Sequence, residues 1–188
     1  MLKSIILIAL TLAIALCGGA GSVWLMMEEV EDFGALQIGE WRVNPTEGTP
    51  EADPYAKARF AREGKLSLGT AEGAQFIAMR DSTGQLLRGA CDYLVTGSVP
   101  SSRFWTLHAT ERDAAQGQRA LQSLTLLRDV DGSFSIALSR SPAPGNWLQM
   151  GLPGAFRLVL AVYDTPTIGS ADLADVTLPR IVRERCNG

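Results

Sequence analysis

The sequence predicts a mainly β protein: an antiparallel β-sandwich, jelly-roll-like, with one or two short helices and a single transmembrane helix in front. Three observations predict it. From Ser4 to Met27 no side chain is charged, with Lys3 before the stretch and Glu28 after it. From Gln75 onward the chain reads as short extended runs separated by turn residues. Between these two regions, Asp53-Pro54 opens one brief helical pattern.

The uncharged stretch comes first. Its 24 positions make roughly 36 Å of helix, against a hydrocarbon core of about 30 Å. Ten of them are Leu, Ile or Val, and Trp24 near the far end suits the lipid–water interface. Lys3 and the amino terminus lie on one side; Glu28, Glu29, Glu31 and Asp32 lie on the other. The positive-inside tendency then keeps the N-terminus cytoplasmic and exports the rest. The expected location is the bacterial inner membrane, with the C-terminal domain in the periplasm. A cleaved signal peptide is the rival: an apolar core Ile5 to Leu16, then the small residues Cys17 to Ala20. A lipoprotein version would acylate Cys17, but the bulky Leu16 precedes it. Apolar character resumes at Val23-Trp24-Leu25-Met26-Met27, which favours a retained anchor. Ala15 with Gly19 and Gly18 with Ser22 have the four-residue spacing of a close helix dimer, although small residues are common in any membrane helix.

The expected organisation is an anchor over 1–27, an acidic, Pro/Gly-containing linker over 28–52, and an exported β-sandwich domain over 53–188. Within the linker, Glu40-Trp41-Arg42-Val43 is the one strand candidate. Net charge is −3 and the pI about 5.2, so no nucleic-acid footprint is expected. Cys17 falls in the membrane segment; Cys91 and Cys186 form an even pair in a compartment that permits oxidation. They are expected to bond to each other, the alternative being two unrelated thiols. Such a bond stabilises by about 4 to 5 kcal/mol in the chain-entropy model.

In the helix after Asp53, which stops at Gly64, Ala56 and Phe60 share a face, while Lys57, Arg59, Arg62 and, just past the stop, Lys65 make the element basic. The basic face is read as solvated, ahead of contact with anionic lipid headgroups. Extended runs follow at 75–80, 91–96 and 103–110, with an Asp81–Gly84 turn after the first. Leu121 to Leu127 fits either a strand or a helical turn. Asp131-Gly132 turns into a strand at 133–138; Asn146-Trp147-Leu148 follows a Pro/Gly loop; Phe156 to Tyr163 is another strand. Leu178 to Arg183 reads as an edge strand, limited by Pro179.

Asp131-Gly-Ser-Phe-Ser-Ile-Ala-Leu138, Pro144-Gly-Asn-Trp-Leu148, Phe156-Arg-Leu-Val-Leu160 and Tyr163-Asp-Thr-Pro166 together resemble the pattern of domain of unknown function 1214. Trp105-Thr106-Leu107 and Asp53-Pro54-Tyr55 fit it too, so the likeness runs from about Asp53 to Pro166, with Leu178 to Arg183 similar to short membrane-anchored members. The resemblance implies a jelly-roll β-sandwich, often the rear half of larger exported proteins, and no established reaction. Gln149 stands where that pattern commonly has proline, and Ala161 where it often has arginine.

His108 is the only histidine, with Glu111 and Asp113 close behind it. These three are the candidate site for the alternative function, an envelope hydrolase. No Gly-x-Ser-x-Gly elbow supports it. In a strand, Trp105, Leu107 and Ala109 take one face and His108 the other, so a structural histidine is expected. One histidine and a paired cysteine set make a metal site unexpected, and Gly69 to Gly73 lacks the lysine of a phosphate loop. No cofactor is expected. Trp105, Trp147 and Tyr93 are the aromatics able to stack on a ligand, and Arg103, Asn146 and Trp147 are the ligand-contacting candidates. Trp105 is expected in the core; Trp147 is open between core and ligand. The leading expectation is an envelope binding module whose partner is a glycan, a lipid or another protein. A third reading is an assembly subunit that dimerises through its anchor.

Overall fold

Alternation of apolar and polar side chains becomes, in the computed structural model, two packed sheets. The structure describes residues 2–29, 34–63, 68–69, 72–111, 120–151, 154–165 and 176–186. The larger sheet has the spatial order β1 (Leu36–Ile38), β2 (Trp41–Val43), β3 (Gly73–Ala78), β9 (Arg157–Tyr163), β5 (Phe104–Thr110), β6 (Leu121–Gln122). The smaller has β10 (Arg180–Cys186), β4 (Cys91–Gly97), β7 (Phe134–Ser139), β8 (Asn146–Gln149). A mainly β, two-sheet sandwich is therefore the fold.

The period of two places one side of each strand in the space between the sheets. Trp41, Phe76, Trp105, Leu107, Leu158 and Leu160 enter from the larger sheet; Tyr93, Ile136, Leu138, Leu148 and Ile181 enter from the smaller. The buried polar ends are mostly answered. The Trp41 indole N–H donates to the Pro179 carbonyl at 2.6 Å, and the Tyr93 hydroxyl accepts the Arg88 amide at 2.8 Å. The Trp105 indole N–H is buried without a hydrogen-bond partner, its ring 5.0 Å from that of Phe134.

Two elements depart from the expected arrangement. Residues within the 28–52 segment form the β1–β2 hairpin, which pairs onto β3 and buries Trp41 and Val43. The stalk thus contributes two strands to the larger sheet. Second, the antiparallel expectation fails once: β7 and β8 are parallel, with Ile136 opposite Asn146 and Ser139 opposite Gln149. Parallel neighbours ordinarily need a crossover of a dozen or more residues. Here the chain backtracks only about 10 Å, three strand positions at roughly 3.3 Å each. The loop 140–145, with Gly145 at a φ of 81°, covers that span. The ambiguous run after Leu121 resolves into both readings, a two-residue strand and the 3-10 turn Ser123–Thr125.

Helix α1 (Leu2–Glu29) is long and apolar enough over Leu2–Leu25 to cross a membrane, as an anchor or a signal sequence is, and none of Leu2–Leu25 is buried. Ala15, Gly18, Gly19 and Ser22 are exposed on it. Helix α2 (Pro54–Glu63) starts as its first residues dictate: the Asp53 carboxylate accepts the Ala56 amide at 3.0 Å, capping the helix with Pro54 in its first position.

Candidate binding face

The core takes Cys91, Tyr93 and Val95 of β4 and Phe134, Ile136 and Leu138 of β7, so their neighbours point the opposite way. Register then aligns four apolar side chains across that outer face. Val182 lies opposite Leu94, Leu94 opposite Ala137, and Ala137 opposite Trp147. Directly opposed side chains stand about 4.5 to 5.5 Å apart, so this is a continuous stripe crossing all four strands. Polar residues flank it. Arg180, Thr96 and Ser135 form the next row on one side. On the other, Asp92 holds Arg185 at 2.6 Å.

Beside the stripe is a depression of about 230 Å³ lined by Leu94, Leu127, Arg128, Ala137, Pro144 and Asn146, among others. Its wall is built by Asn146. The Asn146 amide donates to the carbonyls of Leu127 (2.8 Å) and Ser135 (2.9 Å), and its oxygen accepts the Leu127 amide at 2.7 Å. The side chain thus acts as a missing strand partner for the 126–128 segment and holds Arg128 and Asp129 at the rim. Trp147 is half-buried on the outer face, its indole N–H shared between the carbonyl and hydroxyl of Ser139, each at 3.1 Å. One edge of the ring is therefore fixed while the remainder stays accessible.

The other sequence candidates lie elsewhere. Arg103 precedes β5 at one end of the larger sheet, exposed and 3.8 Å from Asp164, so it does not join Asn146 and Trp147. Tyr93 and Trp105 are core residues. Cys91 and Cys186 are joined in a disulfide and lie opposite each other at the ends of β4 and β10. Among the described residues, no three His, Cys, Asp or Glu side chains gather as a metal-binding group.

A family model described as a protein of unknown function, DUF1214, matches residues 72–167, just over half of the 188-residue chain. The chain belongs to the DUF1214 family. The match leaves out Asp53-Pro54-Tyr55 and the run Leu178 to Arg183. No curated protein matches. Among solved structures, the VPA0106 protein from Vibrio parahaemolyticus is similar at a TM-score of 0.55 and 22% identity. The likeness covers 72% of this chain and 36% of that one, so the chain spans about a third of that protein's length. An uncharacterized protein from Burkholderia cenocepacia is similar at a TM-score of 0.42 and 19% identity, over 73% of this chain and 44% of that one.

In this DUF1214 protein, Ala161 lies mid-β9 on the outer face of the larger sheet, between Gln75 and Thr106. One pair further along, Val159 lies between Ile77 and His108. His108 is half-buried there, facing away from Trp105 and Leu107 as its strand position requires. Glu111 follows β5; Asp113 lies outside the described residues. Burial, and then the Arg157 cation, hold the His108 pKa below its ordinary 6.5. The imidazole is thus neutral at pH 7. Because the folded-state pKa is the lower one, the unfolded chain takes up the proton first as pH falls through 6.5. Native stability is therefore expected to decline on acidification below that value, levelling off below the folded pKa. Urea unfolding of His108→Gln should show a smaller loss between pH 7.5 and pH 5 than the parent; equal losses would remove His108 as the cause.

Proposed function

We propose that this protein is a single-pass protein of the bacterial inner membrane whose sandwich faces the periplasm and binds an envelope ligand. Residues 1–27 are the anchor, and the folded part that follows begins at Leu36, inside the 28–52 linker and ahead of the 53–188 domain expected from sequence. A glycan is the ligand class that its outer face fits. The observation carrying this reading is the apolar row Val182, Leu94, Ala137 and Trp147, flanked by Thr96, Ser135, Arg180 and the rim residues Arg128 and Asp129. A saccharide presents apolar ring faces and hydroxyl edges, and an aromatic plane beside hydroxyl and charged groups complements both. The Cys91–Cys186 bond supports an oxidising compartment, and the fully exposed apolar helix supports retention at a membrane.

The test is titration of the full chain in nanodiscs with envelope glycan fragments, and separately with envelope lipids and membrane-protein extracts. Trp147→Ala should weaken glycan binding by about 2 kcal/mol, roughly thirtyfold, with unchanged circular dichroism. Binding only to lipid or protein would replace the ligand class. No binding in any arm, together with measurable hydrolysis, would replace the function.

A further inference from the structure

The spacing within α2 sorts its residues into two sides. Ala56 is buried and Phe60 half-buried on one side. Tyr55, Ala58 and Arg62, at helical offsets of three and four, are exposed on the other, with Tyr55 42% exposed. The helix carries three basic residues, Lys57, Arg59 and Arg62, against the single acidic Glu63. A short helix with an exposed stripe of tyrosine and arginine has the composition of a surface lying at a lipid headgroup layer.

Its position gives that composition a meaning. Helices α1 and α2 pack against each other, and the Arg62 guanidinium sits 5.6 Å from the centre of the Trp24 ring. Trp24 lies three residues before Met27, the last of the uncharged stretch, near the depth at which an indole occupies the lipid–water interface. Arg62 is therefore at headgroup depth whenever α1 spans the bilayer. The exposed stripe of α2 starts from that point.

We propose that α2 is a membrane-surface contact that binds anionic phospholipid headgroups through its Tyr55–Arg62 stripe. The contact fixes how the sandwich stands on the bilayer. This rests on the anchor reading above, and adds to it a lipid class and a second point of attachment. Each basic residue near an anionic surface favours the contact about fivefold, so Arg62 acts by about that factor before screening.

The test is hydrogen exchange of the 54–63 segment in the full-length protein, in nanodiscs of phosphatidylcholine alone and with a large fraction of phosphatidylglycerol. Exchange should slow about fivefold with the anionic lipid, and the slowing should disappear in high salt and in the Arg62→Gln variant. The salt titration uses the parent protein alone, so a variant that disturbs α2 does not decide the result. Equal exchange in both lipids, with the protein still co-floating with vesicles, overturns the headgroup contact and leaves the anchor standing. Failure to co-float overturns both.

Discussion

Replacing Cys91 and Cys186 together with serine is expected to lower the unfolding free energy by about 4 to 5 kcal/mol, a third or more of the margin of an ordinary domain. The bond closes a 95-residue separation, and in the chain-entropy model long loops gain most from closure. Its place in the fold adds to the effect. Strand β10 is an edge strand of the smaller sheet, paired only with β4, and the bond fastens its last residue to the first of β4. Urea unfolding of the oxidised protein and of the double variant measures the difference. A loss below about 1 kcal/mol would mean that strand pairing alone secures the C-terminus.

Strand β10 has a second fastening, and breaking it is expected to cost nearly as much. The Asp81 side chain is fully buried. One of its oxygens accepts the Thr83 amide (2.9 Å), the Thr83 hydroxyl (2.6 Å) and the Gln85 amide (3.1 Å), which closes the 81–85 turn. The other oxygen lies 2.8 Å from Arg183 Nε as an ion pair; neither atom has an aligned hydrogen bond. Arg183 is held in turn by the Gln85 side chain and the Leu86 carbonyl, both at 2.7 Å, and lies over the Tyr93 ring. Arg183→Ala leaves a carboxylate buried without its counter-charge, a loss of about 3 to 5 kcal/mol. Asp81→Asn should cost less, because it keeps an acceptor for the turn and strands no buried anion. The Asp81→Asn, Arg183→Ala double variant should therefore recover part of the loss; strict additivity would refute the coupling.

The same pair sets a pH dependence. Burial alone raises the Asp81 pKa, but the Thr83 hydroxyl, the Gln85 and Thr83 amides and the Arg183 cation outweigh it, leaving the carboxyl below its ordinary 3.8. A depressed carboxylate contributes stability that is complete above its unfolded pKa and is lost as pH falls through the folded one. The pair's contribution should hold through the neutral range and fail only below about pH 3.8.

Much of this was legible in the residues because it is local. Alternation around Trp105 placed His108 outward, Asp53-Pro54 started α2, and Pro179 marked an edge strand. What was not legible depends on register or on distant partners. The β1–β2 hairpin looked like stalk because Leu36-Gln37-Ile38 is too short to show a period. Its anchor is the Trp41 bond to Pro179, 138 residues away. The parallel β8 was hidden because no crossover element precedes it. The Asp81–Arg183 pair joins a turn to a strand about a hundred residues later, and neither residue is unusual in its own segment. The candidate binding face has the same origin. Leu94, Ala137 and Val182 are unremarkable singly, and only strand register sets them in line with Trp147.

The proposed envelope role requires the sandwich to stand outside the cytoplasm behind a retained helix. A C-terminal fusion, made once to an enzyme active only after export and once to a fluorophore that matures only in the cytoplasm, tests this directly in intact cells. The expected result is enzyme activity in the membrane fraction with no fluorescence. Fluorescence without enzyme activity would contradict the location, the oxidising surroundings of Cys91 and Cys186, and the envelope ligand at once.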